Sequence, residues 1–301
     1  MSETLLALVG PTASGKSQIA IELSQSLGCE IVAADSMTVY RGLDIGTAKP
    51  TPGDRSRVVH HLVDVVDPGE PFSVARYQRL VREAMGEIRS RGHVPLVAGG
   101  SGLYFRAAVD DLDFPPTDRA VRARIETDDT ETLAARLKRE DPGAAELVDL
   151  ANRRRVVRAL EVIEITGCPF SSFRDAWGRY TPAIVAGLAP DLAILDARIE
   201  RRLHEMIDHG LLDEVRGLIA RGYRDALVVS QAIPYRQAVD LAEEKMTQEQ
   251  FFEQAARATR RLARRQLSWF RRDPRVRWFD AIESERAVAE VGAYYNERME
   301  G

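Results

Sequence analysis

Residues Gly10 to Ser17 read Gly-Pro-Thr-Ala-Ser-Gly-Lys-Ser, which satisfies GxxxxGK[ST] and constrains this chain more than any other feature. The stretch lies between a short apolar run, Leu5 to Val9, and a helix-patterned stretch, Lys16 to Leu27, the strand, loop and helix context that the motif requires. Glycines let successive N–H groups point into such a loop, the helix start adds positive potential, a lysine adds a point charge and a hydroxyl can ligate magnesium. Gly10, Thr12, Ala13, Ser14, Gly15, Lys16 and Ser17 are therefore expected to hold a diphosphate, with Mg2+ at Ser17.

Two further apolar runs, Glu30 to Ala33 and Val94 to Ala98, end in polar or glycine turns at Asp35 and at Gly99, Gly100 and Ser101. Three such runs predict a parallel sheet, whose ligands sit at the carboxyl ends of the strands. From about Asp113 the sequence becomes charged and helix-forming, through Leu133 to Leu137 and Arg153 to Ile165, and Ala183 to Leu188 reads as a return to the sheet. Amphipathic helices are expected across Ala197 to Arg221 and Gln248 to Arg272. The expected fold class is α/β, a P-loop NTPase-like parallel-sheet core (1–112 and 183–301) carrying a helical insertion domain (113–182).

With 301 residues, 45% of them hydrophobic, the chain can bury a sizeable core. It has no apolar run long enough to span a bilayer, and MSETLLALVG lacks the basic start and cleavage site of a signal peptide, so a cytoplasmic protein with no membrane partner is expected. Cys29 and Cys168 have neither disulfide nor zinc spacing and read as small buried residues. The net charge of −4 hides an uneven distribution, because arginines gather at 153–158 and again at 257–277. Taken alone, either cluster fits a solvated helix face as well as a polyanion site.

Three segments extend the argument beyond the loop. Asp35-Ser36-Met37-Thr38-Val39-Tyr40-Arg41-Gly42-Leu43-Asp44-Ile45-Gly46-Thr47-Ala48-Lys49-Pro50 resembles the signature of tRNA dimethylallyltransferases, also called tRNA isopentenyltransferases. His60 to Asp64, Gly99 to Tyr104 and Arg265 to Arg271 resemble further segments of that family, and the likeness spans nearly the whole chain. It implies that the P-loop grips dimethylallyl diphosphate rather than ATP, that the acceptor is the adenosine 3′ of the anticodon, and that Asp35 is the base. Ser101 stands where the family has a threonine in the reaction channel, with Ser36, Met37 and Thr38 beside the adenine. The family's contacts to the tRNA anticodon stem-loop map onto Arg122, Arg154, Arg155 and Arg158, onto Gln231, Tyr235 and Arg236, and onto Arg264, Arg265, Gln266, Trp269 and Arg271. Arg198 and Arg202 match an RIxxR pattern; they face the donor phosphates or form a salt-bridge face with Asp196 or Glu205. His60 contacts diphosphate or bonds locally, and Trp269 stacks on a base or packs in the core. A monomer is expected.

The chain departs from the family pattern at three places. Asp149-Leu150-Ala151-Asn152 replaces His-Pro-Asn-Asp, Leu192 stands where arginine is usual, and Pro234 replaces a glycine, fixing φ and removing an N–H. All three bear on tRNA docking rather than on the donor loop.

Overall fold

The computed structural model describes residues 5–173 and 178–300. Its sheet has six strands, β1 Leu6–Val9, β2 Cys29–Ala33, β3 His60–His61, β4 Val94–Gly99, β5 Ile184–Leu188 and β6 Val276–Phe279, all parallel in the order β3-β2-β4-β1-β5-β6. β1 is central, pairing Leu6 with Leu96 on one side and with Ile184 on the other. All four of its residues are buried, as a strand covered on both faces demands. Leu6 and Leu8 point to one face and pack with Ile19 and Leu23 of the helix Lys16–Leu27 and with Val291 and Tyr295 of the helix Ser284–Glu300. Near the other end of the sheet, Tyr77 of the helix Val74–Ser90 donates its hydroxyl to Ala33 O at 2.9 Å.

The described chain divides into two compact units, 1–109 with 182–301, and 110–181. The larger unit adds to its sheet a helical layer whose core includes Leu195, Leu203, Val215, Tyr235, Phe251 and Ala263. The smaller unit is helical, built on Ile125, Leu133, Leu137, Val156, Val157 and Leu160. Each of its main helices starts on a capping side chain: Asp118 accepts from Ala120 and Val121 N–H, Asp129 from Thr132, and Asn152 from Arg155. Three expectations need correction. The amphipathic stretch expected across Ala197 to Arg221 is two helices, Leu192–Asp208 and Leu211–Ala220, because Gly210 takes a left-handed φ of 94° between them. Cys29 is buried, but Cys168 is exposed just beyond the Gly167 cap that ends its helix. Strands β3 and β6 were not expected at all.

One edge of the sheet is tied by charge. Glu30, nearly buried on β2, accepts from Arg91 Nε at 3.0 Å and Nη2 at 2.7 Å, and its other contact is His61 Nε2 at 2.6 Å. The Arg91 hydrogen bonds, with His61 adding and burial opposing, hold the Glu30 carboxyl at about 2, down from 4.5. Because the folded value lies below the unfolded one, the stability this carboxylate contributes is complete above about 4.5 and is lost as pH falls towards 2. Urea unfolding followed across that window should show a shallower acid limb in Glu30→Gln, and the variant should be roughly 2 kcal/mol less stable at pH 7. Parallel pH curves for the two proteins would disprove the assignment.

Candidate active site at the carboxyl ends of β1, β4 and β2

Three neighbouring strands deliver the site. β1 ends at Gly10, β4 at Gly99 and Ser101, and β2 at Asp35, and because adjacent strands lie about 4.8 Å apart the P-loop and Asp35 face each other across roughly 10 Å with Ser101 between. Absent side chains make this closeness possible. A Cβ on Gly10 would stand 2.7 Å from Leu188 O, and one on Gly99 would overlap the Ala34 carbonyl. Neither position tolerates a larger residue without moving backbone.

Within the loop, Ala13 and Gly15 take left-handed φ values of 62° and 89°, the alternation that turns successive N–H groups inward. Ser14 Oγ is buried and has no hydrogen-bond partner among the described residues. Lys16 Nζ donates to Pro11 O at 2.8 Å, and burial pushes its ammonium down from 10.5 to about 8, with Asp35 opposing the shift and Arg202 adding to it. Arg202, from the helix Leu192–Asp208, donates Nη1 to Thr12 Oγ1 at 3.2 Å and Nη2 to Thr47 O at 3.3 Å. Burial lowers its pKa as well, again opposed by Asp35. Two desolvated cations thus share one carboxylate, an arrangement that favours an incoming anion. Ser17 is exposed in the first turn of the loop's helix.

Asp35 Oδ1 accepts from Met37 N–H at 2.7 Å and from Thr38 N–H at 3.4 Å. This turn fixes the carboxylate and leaves Oδ2 without a protein hydrogen bond among the described residues. Tyr77 and Tyr104, ring centroids 4.5 Å apart, have hydroxyls that burial keeps neutral, and Asp35 adds to that effect. Thr38 Oγ1 is buried and unpartnered, Ser36 and Met37 are half-buried, and Ser101 anchors its N–H on Ala34 O at 3.3 Å. A buried lysine that sequence reasoning gave no role, Lys49, ties the signature segment together by donating to Tyr40 O, Asp44 and Asp64.

A part-buried cation pair at the P-loop, opposed by one carboxylate, is a site for a phosphorylated electrophile and a nucleophile that must lose a proton. Comparison with known proteins defines it further. The family model described as IPP transferase matches residues 38–273, and one described as isopentenyl transferase matches residues 3–65. A tRNA dimethylallyltransferase of Thermobifida fusca is 49% identical over 301 residues, covering 96% of this chain and 94% of the relative, and one of Salinispora arenicola is 47% identical over 285 residues, covering 93% and 83%. The chain belongs to the tRNA dimethylallyltransferase family. The crystal structure of the full-length tRNA isopentenylpyrophosphate transferase of Bacillus halodurans, 37% identical, covers 99% of this chain and 97% of its own with a TM-score of 0.73. A eukaryotic dimethylallyltransferase acting on tRNA, 24% identical, shares the fold at a TM-score of 0.84 over 98% of this chain and 80% of its own.

The residues that the family likeness assigns to tRNA fall into two groups. Arg154 and Arg155 on one helix, Gln231 and Arg236 on another segment, and Arg265 and Arg271 at the end of the helix Gln248–Phe270 have exposed side chains. The others are engaged by the protein. Arg122 and Arg158 each donate to buried Glu161 at 2.8 Å, and Arg158 also donates to the carbonyls of Pro115 and Pro116. Arg264 makes two bonds to Asp196, at 3.0 and 2.8 Å. Tyr235 is fully buried, donating its hydroxyl to Glu214 Oε1 at 2.6 Å. Trp269 packs on Phe105 and Phe270 and fills the space a Cβ on Gly102 would need, so the packing alternative holds. His60 Nδ1 bonds Val58 O at 2.8 Å, the local alternative. The salt-bridge alternative for the RIxxR pair fails: Asp196 takes Arg260 and Arg264, Glu205 takes Arg201, and Arg198 donates to Ile282 O at 2.8 Å.

Gln266 shows the clearest change of role. Its Oε1 accepts the Thr12 N–H at 2.8 Å, and a Cβ on Gly100 would meet its Nε2 at 2.7 Å. The side chain is a latch between the P-loop and the β4 turn. Gln266→Leu should therefore raise the KM for a diphosphate donor by about tenfold, the worth of one hydrogen bond to a part-buried N–H, while tRNA affinity measured by filter binding stays within about twofold. Loss of tRNA binding with an unchanged donor KM would return Gln266 to the RNA side.

Proposed function

We propose that this protein transfers the dimethylallyl group of dimethylallyl diphosphate to N6 of the adenosine 3′ of the anticodon in tRNA, releasing diphosphate. The reading rests above all on the two desolvated cations, Lys16 and Arg202, set against Asp35. The inward-turned N–H groups of residues 13–16, the Lys16 ammonium and the Arg202 guanidinium bind the diphosphate and neutralise the charge that grows on it as the C1–O bond breaks. N6 attacks C1, and because its lone pair is delocalised into the purine, the amine needs a base for its proton as the C–N bond forms. Asp35 Oδ2 takes that proton, while Oδ1 stays on the Met37 N–H and keeps the carboxylate aimed. Ser101, at the end of the strand between those that carry the P-loop and Asp35, orients the purine.

Ser17 offers one hard oxygen beside the loop, and Mg2+ takes its remaining ligands readily from phosphate oxygens and water, so the donor set fits magnesium. When bound, the ion adds positive charge to the leaving diphosphate. A purine inside a stacked anticodon loop cannot reach Asp35, so it is extruded into the site. The exposed Arg154, Arg155, Arg265 and Arg271 grip the surrounding phosphates. The protein acts in the cytoplasm as a monomer.

Two measurements test this reading. With labelled dimethylallyl diphosphate and magnesium, label should enter an unmodified anticodon stem-loop and not AMP, and Asp35→Ala should lower kcat by about 10²–10⁴-fold. Label in AMP alone, or undiminished transfer by the variant, would refute it. Because Lys16 loses its proton near pH 8 and only the charged form attracts diphosphate, kcat/KM for the donor should fall above about pH 8, and Lys16→Arg should move that fall to higher pH. An alkaline limb that stays in place in Lys16→Arg would assign it to another group.

A further inference from the structure

The Arg202 guanidinium is held at two points, Thr12 Oγ1 and the Thr47 carbonyl, and the second belongs to a turn with an unusual support. Glu214, on the helix Leu211–Ala220, points its carboxylate into three successive backbone N–H groups: Oε2 accepts from Asp44 and Ile45, each at 2.9 Å, and Oε1 faces Gly46 N–H at 3.5 Å. Three N–H groups converging on one anion form a nest, and a full negative charge makes each bond stronger than its neutral counterpart. Tyr235 completes the clamp. Its hydroxyl donates to Glu214 Oε1 at 2.6 Å and accepts the Gly46 N–H at 3.1 Å, while its ring lies where a Gly46 Cβ would be, 2.5 Å from Cε2. Lys49 pins the far side of the turn through Asp44 and Asp64.

We propose that Glu214 is a positioning residue for the donor site, holding the Asp44–Thr47 turn so that the Thr47 carbonyl keeps Arg202 on the P-loop. The inference rests on the reading of Arg202 as a donor-phosphate cation. The route is short: Gly46, whose N–H is clamped, is the residue next to Thr47, whose carbonyl receives Arg202. The guanidinium also has somewhere to go when that carbonyl moves, because a cavity of about 40 Å³ borders Arg202, Gly46, Met206 and Pro234. Thr12 lines the same cavity, so a released guanidinium can shift against the loop rather than remain wedged in place.

The test separates positioning from mere support of the fold. Glu214→Gln keeps the shape but replaces one acceptor oxygen with an NH2 that confronts the Gly46 N–H; Tyr235→Phe keeps the ring over Gly46 and removes only the hydroxyl. Both should raise the donor KM, by about tenfold and about threefold respectively, with kcat and tRNA Kd within about twofold of the parent. Arg202→Met should raise the donor KM on its own, and Glu214→Gln added to it should raise it no further, since the clamp then has nothing to position. Full additivity in the double variant, or an unchanged donor KM in both clamp variants while Arg202→Met raises it, would overturn the positioning role. If Arg202→Met leaves the donor KM unchanged, the donor-cation reading itself fails and takes this inference with it.

Discussion

The site depends on two like charges held close together and partly shielded from water. Lys16 and Arg202 are both pushed towards their neutral forms by burial, and the nearby charge that opposes this for both is the single carboxylate of Asp35. Such a cluster is poorly balanced in isolation and better balanced once a polyanion enters. The rest of the larger unit can be understood as the framework that keeps this imbalance in place. β1 and β4 bring the backbones together, glycines allow the approach, and the signature segment is pinned by Lys49 on one side and by the Glu214 carboxylate on the other.

Much of this was legible in the residues, because its physics is local. The P-loop, the helix after it, the hydrophobic runs of β1, β2, β4 and β5, and the polar turns at Asp35 and Ser101 each follow from short-range pattern, and the described elements fall within a residue or two of those runs. Edge strands were harder to see. β3 is two histidines long, and β6, Val-Arg-Trp-Phe, lies in an arginine-rich stretch where charge outweighs hydropathy. The break at Gly210 was hidden because the apolar period continues through it on both sides.

Side-chain roles were legible only where the partner is also local. The family likeness maps Arg122 and Arg158 onto tRNA contacts, but a likeness shows sign and position and not partnership; their carboxylate, Glu161, is buried in the same helical unit. Gln266 reaches back 254 positions to the P-loop, and Tyr235 reaches 189 positions to Gly46. No periodicity announces such pairings. Of the arginines that the family likeness assigns to tRNA, Arg154, Arg155, Arg236, Arg265 and Arg271 keep exposed side chains, while Arg122, Arg158 and Arg264 are engaged by carboxylates of the protein.

The seating of Trp269 on Gly102 has a geometric consequence. The indole occupies the room a side chain would take and locks the end of the long helix Gln248–Phe270 to the start of the helix Gly102–Val109 that follows β4, while one turn earlier Gln266 grips the loop. Arg265, the residue before Gln266, is carried on the same anchored turn. The backbone beneath that arginine is therefore kept at a set distance from the P-loop, and the helix works as a strut whose length, rather than its side chains, fixes where the charge stands.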